Sequence, residues 1–463
     1  MQTRQFRKMC FSLISFFLFT CFMLVCLPGE AASQPDSATA PKLAWEKRYN
    51  GKLNLTDIAK SVVADSQGNV IVTGSSITET TADIVTIKYN SSGTVLWTKR
   101  YDGGAAGSDV PAGLAVDGKS NVIVTGASGG QGTLSDFVTI KYSPSGSKMW
   151  VRRYDGKAHG NDAAVALAVD PKGNIYVTGS SDATGQGNLD YLTLKYDPNG
   201  KKIWESRFNG ASNRADTPAA IAADGSGRVY VTGMSTGKLK TGIDIATVKY
   251  NADGKQAWAK VYDSPSHYFD VGRAIAVDAS GNVHVTGEAT TSLSQDFVTL
   301  KYNSKGQELW AKFYDGPSHH ADTARAIALD SQGDVYVTGS SQDEEAVYDY
   351  ATVKYGPDGK KLWAKRYNGP AKGSDEPRAM VLDTSGNAYI TGSSQGSDGL
   401  EDILTLKYSP SGSELWTVRY NGPAKDIDVA YGIALGKSKA FYLAGYSMGS
   451  GTEEDFLLLK YAQ

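Results

Sequence analysis

Residues 270–316 read DVGRAIAVDASGNVHVTGEATTSLSQDFVTLKYNSKGQELWAKFYDG, and this stretch decides the fold. DVGRAIAVD is an apolar strand closed by the turn ASGN, and VHVTG is a second strand followed by a loop. DFVTLKY is a third strand closed by NSKG, and LWAKFYDG is a fourth. Short β-branched and aromatic runs bounded by Gly, Asn, Asp and Ser predict one antiparallel sheet of four strands.

The same words recur along the chain. The tryptophans are Trp45, Trp97, Trp150, Trp204, Trp258, Trp310, Trp363 and Trp416, separated by 52, 53, 54, 54, 52, 53 and 53 residues. Lys-Tyr pairs beginning at Lys88, Lys141, Lys195, Lys249, Lys301, Lys354, Lys407 and Lys460 keep the same rhythm. A repeat of about 53 residues with four strands per unit predicts propeller blades. A single twisted sheet cannot bury both faces, whereas eight packed around a ring can. The fold class predicted is therefore all-β, a single eight-bladed β-propeller.

Repeats start near residues 57, 109, 162, 216, 270, 322, 375 and 428. Four residues after each leading Asp stands Ser61, Gly113, Ala166, Ala220, Ala274, Ala326, Ala379 or Gly432. Only small side chains occur where inner strands of adjacent blades approach closest. The ends predict closure. LAWEKRYNG (43–51) is a fourth strand with no blade before it, and DFLLLKYAQ (455–463) is a third strand with none after it. Strand 43–49 is expected to complete the last blade and remove the exposed edge.

The phrases SGNVHVTG, DFVTLKY and ELWAKFYDG resemble the bacterial SBBP β-propeller repeat family, over about residues 43–461. The resemblance implies an exported propeller with no family-wide catalytic residues to carry over. The family's name evokes seven blades, whereas the count here is eight.

Residues 1–32 have the pattern of an export signal. Arg4, Arg7 and Lys8 precede an apolar run from Met9 to Leu27, then Pro28-Gly29 and the small Ala31 and Ala32. Cleavage there would leave a linker (33–42) and the propeller (43–463), in the periplasm, at the cell surface or outside the cell. An uncleaved anchor is the alternative. Cys10, Cys21 and Cys26 all lie in this segment, so the rest has no disulfide, thiolate metal site or cysteine nucleophile. Removing residues 1–32 leaves a net charge of −4, which argues against nucleic-acid or anionic-membrane binding. A monomer is expected, with no membrane insertion after signal removal.

Only the loop between strands two and three varies in length, from 9 residues (Gly74 to Asp83) to 11 (Gly179 to Asp190). It shares a face of the disc with the inter-blade loop, and binding is expected on such loops over a rigid scaffold. Two aspartate rings lie there. Asp57, Asp109, Asp162, Asp216, Asp270, Asp322, Asp375 and Asp428 open the inner strands. Asp83, Asp136, Asp190, Asp244, Asp296, Asp349, Asp402 and Asp455 open the third strands. The inner ring is read as structural, each Asp accepting N–H bonds in its turn. Calcium at the channel mouth is the one cofactor reading it leaves open.

Positions that differ between units carry more information. Three residues after the leading Asp the series is Lys60, Ala112, Val165, Ala219, Arg273, Arg325, Arg378, Tyr431. Three residues before it the series is Asn54, Ala106, His159, Asn213, His267, His319, Lys372, Lys425. Arg273, Arg325 and Arg378 would form a basic arc on blades five to seven, with His267, His319, His320 and Lys372 on the rim above. Such an arc suits a carboxylate or phosphate. Alternatively, each Arg neutralises the neighbouring aspartate ring. A zinc site is not expected, because His159 is on a distant blade.

No triad, nucleophile elbow, EF-hand loop or helix-opening phosphate cradle is present, and no catalytic residue is assigned. The reading is a binding or scaffolding module for a protein or glycan. Its rival is a propeller-based enzyme, a quinone-dependent dehydrogenase or a polysaccharide lyase or hydrolase.

Overall fold

A computed structural model describes residues 39–104, 107–130, 132–237, 242–291 and 294–463. The export signal and most of the linker read from the sequence lie outside the described residues, as does Ala106. Among the described residues no helix is long and apolar enough to cross a membrane.

Eight four-stranded antiparallel sheets form the ring. Blade five is typical, with strands Asp270–Val277, Val283–Thr290, Gln295–Tyr302 and Glu308–Tyr314, hydrogen-bonded in that order. Blade eight takes Asp428–Leu435, Phe441–Met448 and Glu454–Ala462 from the end of the chain. Its fourth strand is Lys42–Tyr49, paired antiparallel to Glu454–Ala462 with Glu46 opposite Leu459. The first strand therefore closes the ring.

Packing between blades explains the recurring words. The second and third strands of each blade are almost wholly buried, so Val, Ile, Leu and Tyr run through them. The Thr of VTG donates to a third-strand carbonyl and meets a third-strand Thr, as Thr286 does with Val298 O (2.9 Å) and Thr299. Blade eight replaces both partners, pairing Ala444 with Leu458. Two buried hydroxyls leave together, so neither is stranded without a hydrogen bond.

In seven blades the Lys of the Lys-Tyr pair and the Trp of the fourth strand converge on one carbonyl of the next blade. Lys141 Nζ and Trp150 Nε1 reach Pro198 O at 3.1 and 3.2 Å, and Lys301 and Trp310 reach Pro357 O at 2.9 and 3.1 Å. The accepting carbonyl lies in the turn between strands three and four. Blade eight has no such turn, because those strands come from opposite ends of the chain. Trp416 Nε1 is accordingly buried without an acceptor, and its ring stacks on Phe441 (5.5 Å, 12°).

Every inner strand carries a bulge at one position. The register with the second strand jumps between Gly272 and Ala274 in blade five, and at the matching place in the other seven. The extra residue is always the third after the leading Asp. A bulge re-aims the side chain it carries, here at the ring centre. The Gly of VTG lies across from the bulge, and a Cβ on Gly287 would overlap Val271 O.

Candidate functional site

The inter-blade loop and the loop between strands two and three are joined by a backbone bond in all eight blades, for example Gln342 N to Ala321 O (3.0 Å) and Asp182 N to Asn161 O (3.0 Å). They share one face of the disc, above the bulged residues.

Each inner-ring aspartate is held in its own loop. Asp57, Asp109, Asp162, Asp216, Asp270, Asp322, Asp375 and Asp428 each accept the N–H of the residue six positions earlier, at 2.5–2.7 Å. In seven blades that donor is a Gly, and a Ser on the second strand stands beside it. A Cβ at Gly210 would overlap Ser235 Oγ, and one at Gly316 would overlap Ser341 Oγ. Blade five exchanges the pair, with Ser264 in the loop and Ala289 on the strand. Its Asp270 Oδ1 accepts from Thr290 N at 3.1 Å instead.

The third-strand aspartates meet a different cation. Arg48, Arg100, Arg153, Arg366 and Arg419 on fourth strands pair with Asp455, Asp83, Asp136, Asp349 and Asp402 at 2.5–3.3 Å. Arg153 and Arg207 also reach back to Tyr101 and Tyr154 of the preceding blade, at 3.3 and 2.9 Å. Blades four and five have Val261 and Phe313 at this position. Before Val261 the preceding blade has Phe208, without a hydroxyl. Aspartates gather within 4.8 Å at these two junctions, as Asp244–Asp263–Asp270 and Asp296–Asp315–Asp322, and also as Asp83–Asp102–Asp109 where Arg100 is present.

The rim residues are accounted for locally. His267, His319 and Lys372 have φ of 56°, 55° and 51°, the left-handed turn that His159, Asn54, Asn213 and Lys425 also adopt. His159, His267 and His319 direct Nδ1 at Asp155, Asp263 and Asp315 of their own loops, 2.6–2.7 Å away. His occurs where the loop opens on Asp, and Asn54 and Asn213 occur where it opens on Asn50 and Asn209. His320 Nδ1 lies 2.8 Å from Asp343 O. The structure thus pairs His159, His267 and His319 with their own loops and His320 with the adjoining loop between strands two and three, and not with the arginines.

The bulge residues do come together. Arg273 forms a bidentate pair with buried Glu288, from Nε at 3.0 and 3.1 Å. Arg378 Nη2 lies 3.3 Å from Glu376. Burial, and then the neighbouring Arg273, hold Arg325 below the ordinary arginine value. Counter-charge for Arg273 and Arg378 thus comes from two glutamates and not from the aspartate ring. Both are departures from the repeat. Glu288 stands where other units have Ser75, Ala127, Ser180, Met234, Ser340, Ser393 or Tyr446. Glu376 stands where they have Ile58, Val110, Ala163, Thr217, Val271, Thr323 or Val429.

The basic side also extends further than blades five to seven. The Tyr431 ring of blade eight has Lys60 Nζ 4.0 Å and the Arg378 guanidinium 5.1 Å from its centroid. Tyr446 packs beside it at 6.1 Å. Blades two to four present Ala112, Val165 and Ala219 at the same level. The channel is therefore polar and basic on one side and small and apolar on the other.

The family model described as beta-propeller repeat, SBBP, matches three segments of the chain, residues 152–185, 209–240 and 362–399. An uncharacterised WD repeat-containing protein of Acanthamoeba polyphaga mimivirus is 23% identical over 468 residues, covering 81% of this chain and 32% of its own length. The chain spans about a third of that relative. Sqt1 of Chaetomium thermophilum, solved bound to the N-terminus of the ribosomal protein L10, superposes with a TM-score of 0.56 at 10% identity, over 90% of this chain and 98% of that one. Sqt1 alone gives 0.55 at 10% identity, over 88% and 96%. At this identity the likeness shows the fold alone.

Proposed function

We propose that the chain is an exported binding or scaffolding module. It holds a protein or glycan on the face formed by the inter-blade loops and the loops between strands two and three. An anionic group of the partner enters the basic side of the channel. One observation carries this reading: at the bulge position the eightfold repeat is broken into Lys60, Arg273, Arg325, Arg378 and Tyr431 on one side and Ala112, Val165 and Ala219 on the other. A purely structural ring has no need of that asymmetry, whereas recognition does. Sqt1, bound to the N-terminus of a ribosomal protein, supports a propeller of this shape presenting a surface to a polypeptide. The pattern of residues 1–32 supports export to the periplasm, the cell surface or the medium.

A thermal-shift screen of acidic peptides and glycans on the full chain tests the reading. Ligands that raise the melting temperature should lose their effect in Arg378→Gln. Hits that keep their full effect in that variant contradict it.

A further inference from the structure

Of the four cations at the bulge position, Arg273 is neutralised by Glu288, and Arg378 shares Glu376. Lys60 differs. Its ammonium lies over the Tyr431 ring, and no carboxylate among the described residues pairs with it. The nearest like charge that acts on it is Arg378, on the same ring. Burial first, and then Arg378, push Lys60 down to about 8. Arg378 has Glu376 as a counter-ion, whereas the half-buried Lys60 ammonium stands against the same aromatic ring beside that second cation with no carboxylate of its own, which is unfavourable. An anion beside them removes that cost.

The opposite wall determines the rest of the ligand. In an eight-membered ring blade eight faces blade four, and blade seven faces blade three, so Tyr431 looks across at Ala219 and Arg378 at Val165. Small side chains there leave room opposite an aromatic ring. Glu376, Glu401 and Glu454 surround the basic side and act on Arg378, Tyr431 and Tyr446. Glu454 is further fixed by Thr56 Oγ1 at 2.6 Å. These carboxylates oppose an anion that does not touch Lys60 directly, and a polyanion most of all.

We infer that the seam of blades seven, eight and one is a site for a compact organic anion, a carboxylate or phosphate monoester on a small apolar body. The anionic head is held by Lys60 with Arg378, and the body lies between Tyr431 and the wall of Val165 and Ala219. The inference deepens the binding reading and rests on it for the choice of face.

Calorimetric titration of the full chain with phenyl phosphate, phenylacetate and inorganic phosphate tests it. One saturable site is expected for the two aromatic anions, with whichever head binds tighter identifying the source. Lys60→Gln should weaken it at least tenfold, and Lys60→Arg should stay within about threefold of the parent. Ala219→Leu should block the aromatic probes and leave inorganic phosphate binding unchanged. Near-ultraviolet circular dichroism checks that each variant is folded. Absence of saturable binding by any probe, or parental affinity in folded Lys60→Gln, overturns the site. Failure here while screened partners still respond to Arg378→Gln removes this site and leaves the binding reading standing.

Discussion

Arg48, on the first strand of the ring, donates from Nη2 to the hydroxyl of Tyr420 at 3.2 Å. Tyr420 belongs to blade seven, so the closing strand is tied to two blades at once. Arg48 also pairs with Asp455 and donates to Ser447 Oγ at 2.6 Å in blade eight. Deleting residues 42–49 would expose the Glu454–Ala462 edge and remove this bridge. The deletion should broaden denaturant unfolding and promote aggregation. A truncated chain that melts at the parental midpoint and slope would show that the strand is dispensable.

The same bridge can be installed where it is missing. Blade four has Val261 in place of the arginine, and blade three has Phe208 in place of the tyrosine that would receive it. Val261→Arg together with Phe208→Tyr should stabilise the fold by about 1 kcal/mol, as a partly exposed guanidinium gains Asp244 and a hydroxyl. Val261→Arg alone should give less. Urea melts of the three variants provide the comparison, and no gain in the double variant would mean that blade four is shaped for valine.

The exchange in blade five predicts a compensating pair elsewhere. Gly210→Ser should be destabilising, because its Cβ would overlap Ser235 Oγ. Adding Ser235→Ala should recover most of the loss, by analogy with Ser264 and Ala289. A double variant no more stable than Gly210→Ser refutes the pairing.

Acid should not weaken this protein until well below neutrality. Burial raises Asp322 and Asp428 to about 6, and Asp190 likewise, with Asp216 adding to the last. Between an unfolded value near 4 and a folded value near 6 the folded state binds more protons. The stability contributed by these groups is fully present below the unfolded value and is lost as pH rises through about 6. The melting temperature should therefore be higher at pH 5 than at pH 7.5, and Asp322→Asn should flatten that slope. A melting temperature that falls on acidification over this range would contradict the assignment.

The ring was legible because its determinants are periodic: a Trp or Lys-Tyr pair every 53 residues or so survives any local ambiguity. The shared eighth blade was equally readable, since an orphan fourth strand and an orphan third strand complete one sheet. The site was less so. The bulge that turns Arg273 and Lys60 inward leaves no mark in strand alternation, and only the register exposes it. Lys60 and Arg378 lie at opposite ends of the sequence, and only the closed ring places both against Tyr431. Glu288 and Glu376 could have been found by comparing the repeats column by column. The histidines are rare residues on a rim, yet their loops use His267 and His319 as partners for Asp263 and Asp315.

The central claim is that binding belongs to the face and channel wall where the repeat is broken. Hydrogen–deuterium exchange of the full chain, with and without a ligand selected by thermal shift, tests it most directly. Protection is predicted in the inner strands Asp57–Ala64, Asp375–Leu382 and Asp428–Leu435 and in the loops above them, with the turns of the opposite face unchanged. Protection confined to those opposite turns, or to the outer strands, would contradict it.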